Sequence, residues 1–235
     1  MKINLIAFDA DDTLWHNEFL YRQARGEFMQ LFAEKMDVDT LGKYLDEVEI
    51  RNLEWYGYGI KSFALSMVQS AAECIGSRLS GEQVQAILTI IDKMIRADVL
   101  LLDCAQWSLE RLHKAYPLLL ITKGDLFEQE RKIKRSGIQD YFHFFEVVGE
   151  KTERSYQHIL KKYGCAPDNF LMVGNSLRSD ILPVLQIGGH AVYVPYEQIW
   201  SHEAVDAETL KKYQFEEITH LGELPELVDR LSSGL

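Results

Sequence analysis

Leu5-Ile6-Ala7-Phe8-Asp9-Ala10-Asp11-Asp12-Thr13-Leu14 is an apolar run that ends abruptly in three acids and a threonine. Ile3, Leu5, Ile6, Ala7 and Phe8 have the composition and length of a strand buried on both faces. The acids then fall at the carboxyl end of that strand, where open parallel sheets place their ligand crevice. Three carboxylates so close together repel one another. A bound cation makes the arrangement favourable, and all-oxygen ligands suit Mg²⁺. An acidic turn or a helix N-cap accounts for the same residues with no ligand, because Asp and Thr favour both.

Downstream, the chain is helical for about eighty residues. Leu20, Ala24, Phe28, Leu31, Phe32 and Met36 recur at three- and four-residue steps and predict a helix over 18–36. Further helices are expected over 41–55 and 60–75, separated by Tyr56-Gly57-Tyr58-Gly59, which reads equally as a specificity loop or a plain connector. Ser80 and Gln83 form a capping-box pattern that opens a fourth helix. No convincing strand interrupts residues 15–97.

From Asp98 the pattern changes to strand and helix in alternation. Strands are expected over 118–121, 144–148, 170–173 and 191–194, with helices over 107–115, 125–136, 153–163 and 181–187. Gly137 and Gly164 stand where helices stop. Thr122 to Lys151 and Lys151 to Asp180 are each 29 residues apart, the size of one βα unit. Such alternation implies an α/β fold with a doubly wound, mainly parallel sheet. The core is expected over 1–14 and 98–235, with an all-helical domain, 15–97, inserted after the first strand and above its acids. A helical cap there can exclude water and choose substrates. The acidic, mixed stretch from Trp200 onward carries no evident chemistry, and a closing helix is expected over 221–231.

Bulk composition narrows the function classes. With 235 residues, 47% hydrophobic and 26% charged, the chain is an ordinary soluble globular protein. A net charge of -11 argues against nucleic acid or an anionic membrane as partner, so an anionic ligand needs locally placed cations. Cys74, Cys104 and Cys165 are scattered and odd in number, as reduced thiols of a cytoplasmic protein would be. No signal peptide and no membrane-length apolar run is apparent. His113, His143 and His158 lack metal-ligand spacing, and Gly149-Glu150-Lys151-Thr152 lacks the spacing of a phosphate loop. Oligomeric state is not legible.

Each of four predicted strands ends in a different polar group. Asp9, Asp11 and Thr13 follow the first, Thr122 the second, Lys151 the third, and Asn175, Ser176 and Asp180 the fourth. In a parallel sheet these ends share one edge and can converge. A nucleophile, a second acid, a hydroxyl, an ammonium and a metal-binding pair suit phosphoryl transfer. Lys123, beside Thr122, either adds positive potential for a phosphate or points to solvent. His16 and Trp15 read as a hinge residue and a packing residue that could also face substrate. Arg178 reads as a structural or surface charge.

The DxDxT at Asp9, Asp11 and Thr13, the Thr122 strand end, Lys151 and the GNSxxSD from Gly174 to Asp180 resemble the haloacid dehalogenase (HAD) superfamily. The helical insertion resembles its C1-type cap. The resemblance implies a Mg²⁺-dependent phosphatase that hydrolyses a small phosphorylated metabolite through an aspartyl-phosphate. Asp9 would be the nucleophile, and Asp11 the acid and base, with its backbone carbonyl on the metal. Thr122 and Lys151 would hold the phosphoryl oxygens, and Asn175 and Asp180 would complete the Mg²⁺ site with Asp9 and Asp11. Asp11 separates a phosphatase from the dehalogenases, which usually lack an acid there. Asn175 departs from the more frequent acid of the fourth motif, and its amide oxygen can ligate Mg²⁺ without formal charge. A phosphotransferase or phosphomutase on the same aspartyl-phosphate, and a catalytically weak binding protein, are the alternatives.

Overall fold

A computed structural model describes residues 2–197 and 205–233. Its strands are β1 (Leu5–Phe8), β2 (Leu118–Lys123), β3 (Phe144–Val148), β4 (Phe170–Gly174), β5 (His190–Tyr193) and β6 (Glu216–Glu217). Its helices are α1 (Glu18–Phe32), α2 (Val38–Tyr56), α3 (Ile60–Ile75), α4 (Gly81–Arg96), α5 (Ala105–Leu112), α6 (Leu126–Arg135), α7 (Glu153–Tyr163), α8 (Leu182–Gln186), α9 (Ala207–Leu210) and α10 (Leu224–Ser233). The strands form one six-stranded sheet in the order β3-β2-β1-β4-β5-β6, and every pairing is parallel. The α/β fold expected from the sequence is thus present, with one short edge strand, β6, that two glutamates did not advertise.

Strand alternation explains the layers. Ile6 and Phe8 of β1, Leu118 and Leu120 of β2, and Leu171 and Val173 of β4 point into one apolar cluster with α5 and α10. Leu5, Ala7, Leu119, Ile121, Phe170 and Met172 point into the other, with Tyr156, Ile159 and Leu160 of α7. A strand that must bury both faces has no room for polar residues until it leaves the sheet. That is why the change from Phe8 to Asp9 is so abrupt.

The described residues divide into two compact units, Met1–Glu18 with Val99–Leu235, and Phe19–Asp98. The second unit contains α1 to α4 and has its own core, in which Phe28, Phe32, Leu41, Leu45, Met67 and Ile87 are fully buried. Helix boundaries follow local capping. Ser80 and Gln83 make the expected capping box. Asp37 accepts the N–H of Thr40 at 2.8 Å, so α2 starts earlier than its apolar pattern suggests. Gly57, at φ +67, ends α2 by donating to Leu53 O at 3.0 Å. Only glycine adopts that conformation without strain. No helix among the described residues is long and apolar enough to cross a membrane. Trp200 and its neighbours through 204 lie outside the described residues, and the closing helix over 221–231 appears as a short turn followed by α10.

The second unit holds one ill-accommodated acid. Burial raises the Glu49 carboxyl to about 7, with Arg25 pulling it down and Asp46 pushing it up. Folded protein therefore keeps a proton that unfolded chain loses above its ordinary value of 4.5. Stability from this group is complete below that value and is lost as pH rises toward 7. Glu49→Gln is expected to stabilise the protein at pH 8 by on the order of 1 kcal/mol after solvent screening, seen as a higher thermal midpoint, with little effect at pH 4.5. Thermal unfolding at the two pH values checks this.

Candidate active site

Sheet register brings the predicted strand ends to one edge. Phe8 pairs with Leu120 on one side and Val173 on the other. Asp9 follows Phe8 directly, so Thr122 and Asn175 lie two residues past its flanking partners. The Asp9 N–H donates to Val173 O at 2.9 Å and extends the ladder by one step. Lys151 follows β3 by three residues and returns across that edge.

At the centre, Lys151 Nζ bonds Asp9 Oδ1 and lies 2.7 Å from Asp180 Oδ1. Side-chain exposures of 2% for Lys151 and 1% for Asp180 show that the pair is dry. Burial works against the charged lysine, but Asp180 and Asp9 outweigh it and raise the affinity of Lys151 for its proton. Asp9 is pushed up to about 7, first by burial, against the pull of Lys151 and with a further push from Asp180. Asp180 Oδ2 also accepts the Ser176 N–H at 3.0 Å. Both its oxygens are thereby engaged by donors of the chain.

A wide turn of π-helical geometry over Leu177–Ile181 delivers Asp180, where a helix from 181 was expected. The backbone begins to coil early because Ser176 caps it. Ser176 Oγ accepts Ser179 N at 2.9 Å, and Ser176 O accepts the N–H of Asp180 at 2.8 Å and of Ile181 at 3.2 Å. Tyr156, fully buried in α7, donates to Ser179 O at 3.0 Å and fixes the turn from below. Gly174 makes room for it. A Cβ there would stand 2.3 Å from Asp180 Oδ2.

Thr13 ties β1 to β4. Its hydroxyl lies 2.9 Å from Asp9 Oδ2 and accepts the Asn175 N–H at 3.0 Å. The inward end of the Asn175 amide lies 3.1 Å from Thr13 Oγ1, 3.2 Å from Asp9 Oδ2 and 3.3 Å from the Asp11 carbonyl oxygen. Asn175, Asp9 and the Asp11 carbonyl are therefore mutual neighbours. Thr122 Oγ1 is buried with no hydrogen-bond partner among the described residues. Lys123 turns toward Ser179 Oγ, 3.2 Å away. Among the described residues, no three His, Cys, Asp or Glu side chains group as a metal site. A metal here would have to draw on mixed oxygens: a carboxylate, a backbone carbonyl and an amide.

The three acids of the opening stretch have separate surroundings. Asp11 Oδ1 accepts Trp15 Nε1 at 2.7 Å, and Asp11 Oδ2 accepts Gln129 Nε2 at 2.8 Å. Lys132 Nζ reaches both oxygens, at 2.7 and 2.8 Å. Burial would raise this carboxyl, but Lys132, Gln129 and Trp15 together hold it below the ordinary carboxylate value. Asp12 is in the left-handed region at φ 62. Its Oδ1 accepts the N–H groups of Asn17 and Glu18 at 2.8 and 3.0 Å, so it turns the chain into α1. His16 Nδ1 is 2.8 Å from the Tyr196 hydroxyl.

The family model described as haloacid dehalogenase-like hydrolase matches residues 3–188. The chain belongs to the haloacid dehalogenase-like hydrolase family. A crystal structure of a HAD-like family hydrolase from Xanthomonas campestris is similar over 99% of this chain and 93% of its own, at 35% identity and a TM-score of 0.88. A 2-haloacid dehalogenase from Pseudomonas syringae is similar over 97% of this chain and 99% of its own, at 25% identity and a TM-score of 0.64. A glyceraldehyde 3-phosphate phosphatase from Pyrococcus furiosus is 31% identical over 132 residues, 54% of this chain and 53% of that protein. The chain thus matches about half the length of that curated relative.

Within this HAD-like site, reading the sequence alone passes over Gln129, Lys132 and the indole of Trp15. Gln129 and Lys132 stand three residues apart on the helix that follows Thr122, a spacing that puts both on one face. That face was the available signal. Gly174→Ala is expected to push Asp180 off Lys151 and to destabilise the protein by about 1–3 kcal/mol. Chemical denaturation of the variant measures it. Gly149→Ala, where a Cβ meets nothing within 4 Å, is the matched control.

Proposed function

We propose that this HAD-like hydrolase is a Mg²⁺-dependent phosphatase that hydrolyses a small phosphate monoester through an aspartyl-phosphate on Asp9. The observation that carries the reading is Thr122. A buried hydroxyl with no partner costs stability unless a ligand supplies one. It lies at the strand end next to Asp9, where a phosphoryl oxygen would be held.

The oxygen set fits the metal. Mg²⁺ demands octahedral ligands at about 2.1 Å, which places neighbouring oxygens about 3 Å apart. Asp9 Oδ2, the Asp11 carbonyl and the Asn175 amide have edges of 3.2 and 3.3 Å. With its oxygen turned inward, Asn175 would supply the third such ligand. When bound, Mg²⁺ would offset the charge of the phosphoryl oxygens and of the attacking carboxylate. Asp180 would serve the site through Lys151, or reach the metal through water.

The chain's own groups then divide the reaction. Asp9 Oδ attacks phosphorus while the bond to the ester oxygen breaks, and Asp11 gives its proton to that oxygen. In the second half, Asp11 takes a proton from water, which attacks phosphorus and frees the Asp9 carboxylate and phosphate. Lys132 keeps Asp11 ionised at rest, which suits the second half. The first half requires a proton on Asp11, and the negative charge of an arriving phosphate favours its uptake. Lys151 and Thr122 hold the equatorial oxygens. Phe19–Asp98 would act as the cap that chooses the substrate. The Pyrococcus relative suggests a three-carbon phosphate such as glyceraldehyde 3-phosphate as the first candidate.

Phosphate release from glyceraldehyde 3-phosphate and from p-nitrophenyl phosphate tests the reading directly. Release with Mg²⁺, its loss in EDTA and its loss in Asp9→Asn are expected; undiminished turnover by Asp9→Asn would refute it. Thr122→Val separates stability from function. Removing the unpartnered hydroxyl is expected to leave stability unchanged or raise it by up to about 1–3 kcal/mol, read from thermal unfolding, while phosphate release falls by about 10²-fold.

A further inference from the structure

Asp11 is heavily restrained at the sheet edge. Four hydrogen bonds from three donors fix both its oxygens: two from Lys132, one from Gln129 and one from Trp15. Trp15 belongs to the same loop and is 1% exposed. The other two donors come from α6, which begins right after the β2 end that carries Thr122. Gln129 is 2% exposed, and its amide also donates to Lys123 O at 3.2 Å. Gly124, at φ +137, brings the chain so close that a Cβ would stand 3.1 Å from Gln129 Nε2. Lys132 has 14% side-chain exposure. Besides Asp11 it meets Asn17 Oδ1 at 3.1 Å and Glu128 Oε1 at 3.6 Å.

We infer that Lys132, supported by Gln129, is a positioning residue: α6 clamps the Asp11 carboxylate in the place from which it serves the leaving oxygen. The inference rests on the acid and base role given to Asp11 above. Its physical basis is directional. A carboxylate on one loop can rotate about two side-chain bonds. Donors on both oxygens, from an element rooted at the phosphate-holding strand end, remove that freedom. One helix then sets the distance between the phosphate grip at Thr122 and the acid at Asp11. Proton transfer demands heavy atoms within about 2.6–3.2 Å, so loss of a fraction of an ångström in placement is felt in rate. Charge-assisted, two-oxygen contacts are the strong and orienting kind.

The test compares Lys132→Met, Lys132→Arg, Asp11→Asn and the Lys132→Met/Asp11→Asn double variant. Two esters are used, glyceraldehyde 3-phosphate with a poor leaving group and p-nitrophenyl phosphate with a good one. An alkoxide needs the proton that a nitrophenolate does not. Lys132→Met is expected to lower kcat/KM on the alkyl ester by about 10²-fold, and on the aryl ester by about 10-fold or less. Lys132→Arg, which can meet both oxygens, should recover most of the loss. In the Asp11→Asn background, Lys132→Met should cost no more than about twofold, because the partner it positions is already gone. Equal losses on both esters, or full multiplicative losses in the double variant, would show that Lys132 does not act through Asp11. A rise in rate would overturn positioning as well. The same four proteins supply a thermal double-mutant cycle that needs no turnover. Coupling between positions 132 and 11 supports the clamp, and its absence removes it. Failure of the wild type to hydrolyse either ester would count against the phosphatase reading alone, with the thermal cycle still deciding the clamp.

Discussion

One ammonium shared by two buried carboxylates governs this molecule. Lys151 lies between Asp9 and Asp180, and all three are nearly sealed from water. Taking such charges from water costs several kcal/mol per ion unless geometry and hydrogen bonds compensate. Two acids with one base also leave an excess negative charge, while burial is what chiefly raises the proton affinity of Asp9. The fold spends its special features on holding that arrangement. Gly174 leaves a void for the Asp180 carboxylate, Ser176 caps the wide turn, and Tyr156 braces it. A cation beside Asp9 and Asn175 would offset the remaining charge, which links the stability of the site to its proposed chemistry.

Three acids in four residues look alike in sequence, and the structure makes them different through their partners. Asp9 shares a lysine with Asp180. Asp11 is surrounded by side-chain donors from a distant helix. Asp12 is spent on backbone N–H groups at the start of α1. Environment, not residue type, sets the proton affinity of each: Asp9 and Asp12 are pushed up to about 7, chiefly by burial, while Asp11 is held low. Neighbouring carboxylates whose affinities are driven apart are able to take separate roles.

Most of the core was legible because its periodicities are strong. Both-face burial marked β1, β2 and β4, and the glycine at 164 and the capping box at Ser80 placed helix ends. The convergence of Asp9, Thr122, Lys151 and Asn175 followed from one rule about parallel sheets. What stayed hidden depends on tertiary contact. β6 is two glutamates whose pairing with β5 nothing local dictates. The early coil at Leu177 depends on Ser176 acting as a cap, and serine fits loops as readily. Lys132 has no motif. It matters only because α6 turns one face to the Asp11 carboxylate, which becomes visible once β1 and β2 are neighbours. Asp180 was expected near a metal, and its nearest partner in the fold is Lys151, since a sequence does not say which of several opposite charges an acid will meet.

The covalent intermediate is the most direct point of test. Protein mixed with glyceraldehyde 3-phosphate and Mg²⁺ is quenched in acid within one turnover and treated with borohydride, which reduces an acyl phosphate to the alcohol. Peptide mapping then locates the change. Homoserine in place of Asp9 is the expected result. Phosphate release with an unmodified Asp9, or homoserine at another position, would contradict nucleophilic catalysis by the residue on which the whole site is built.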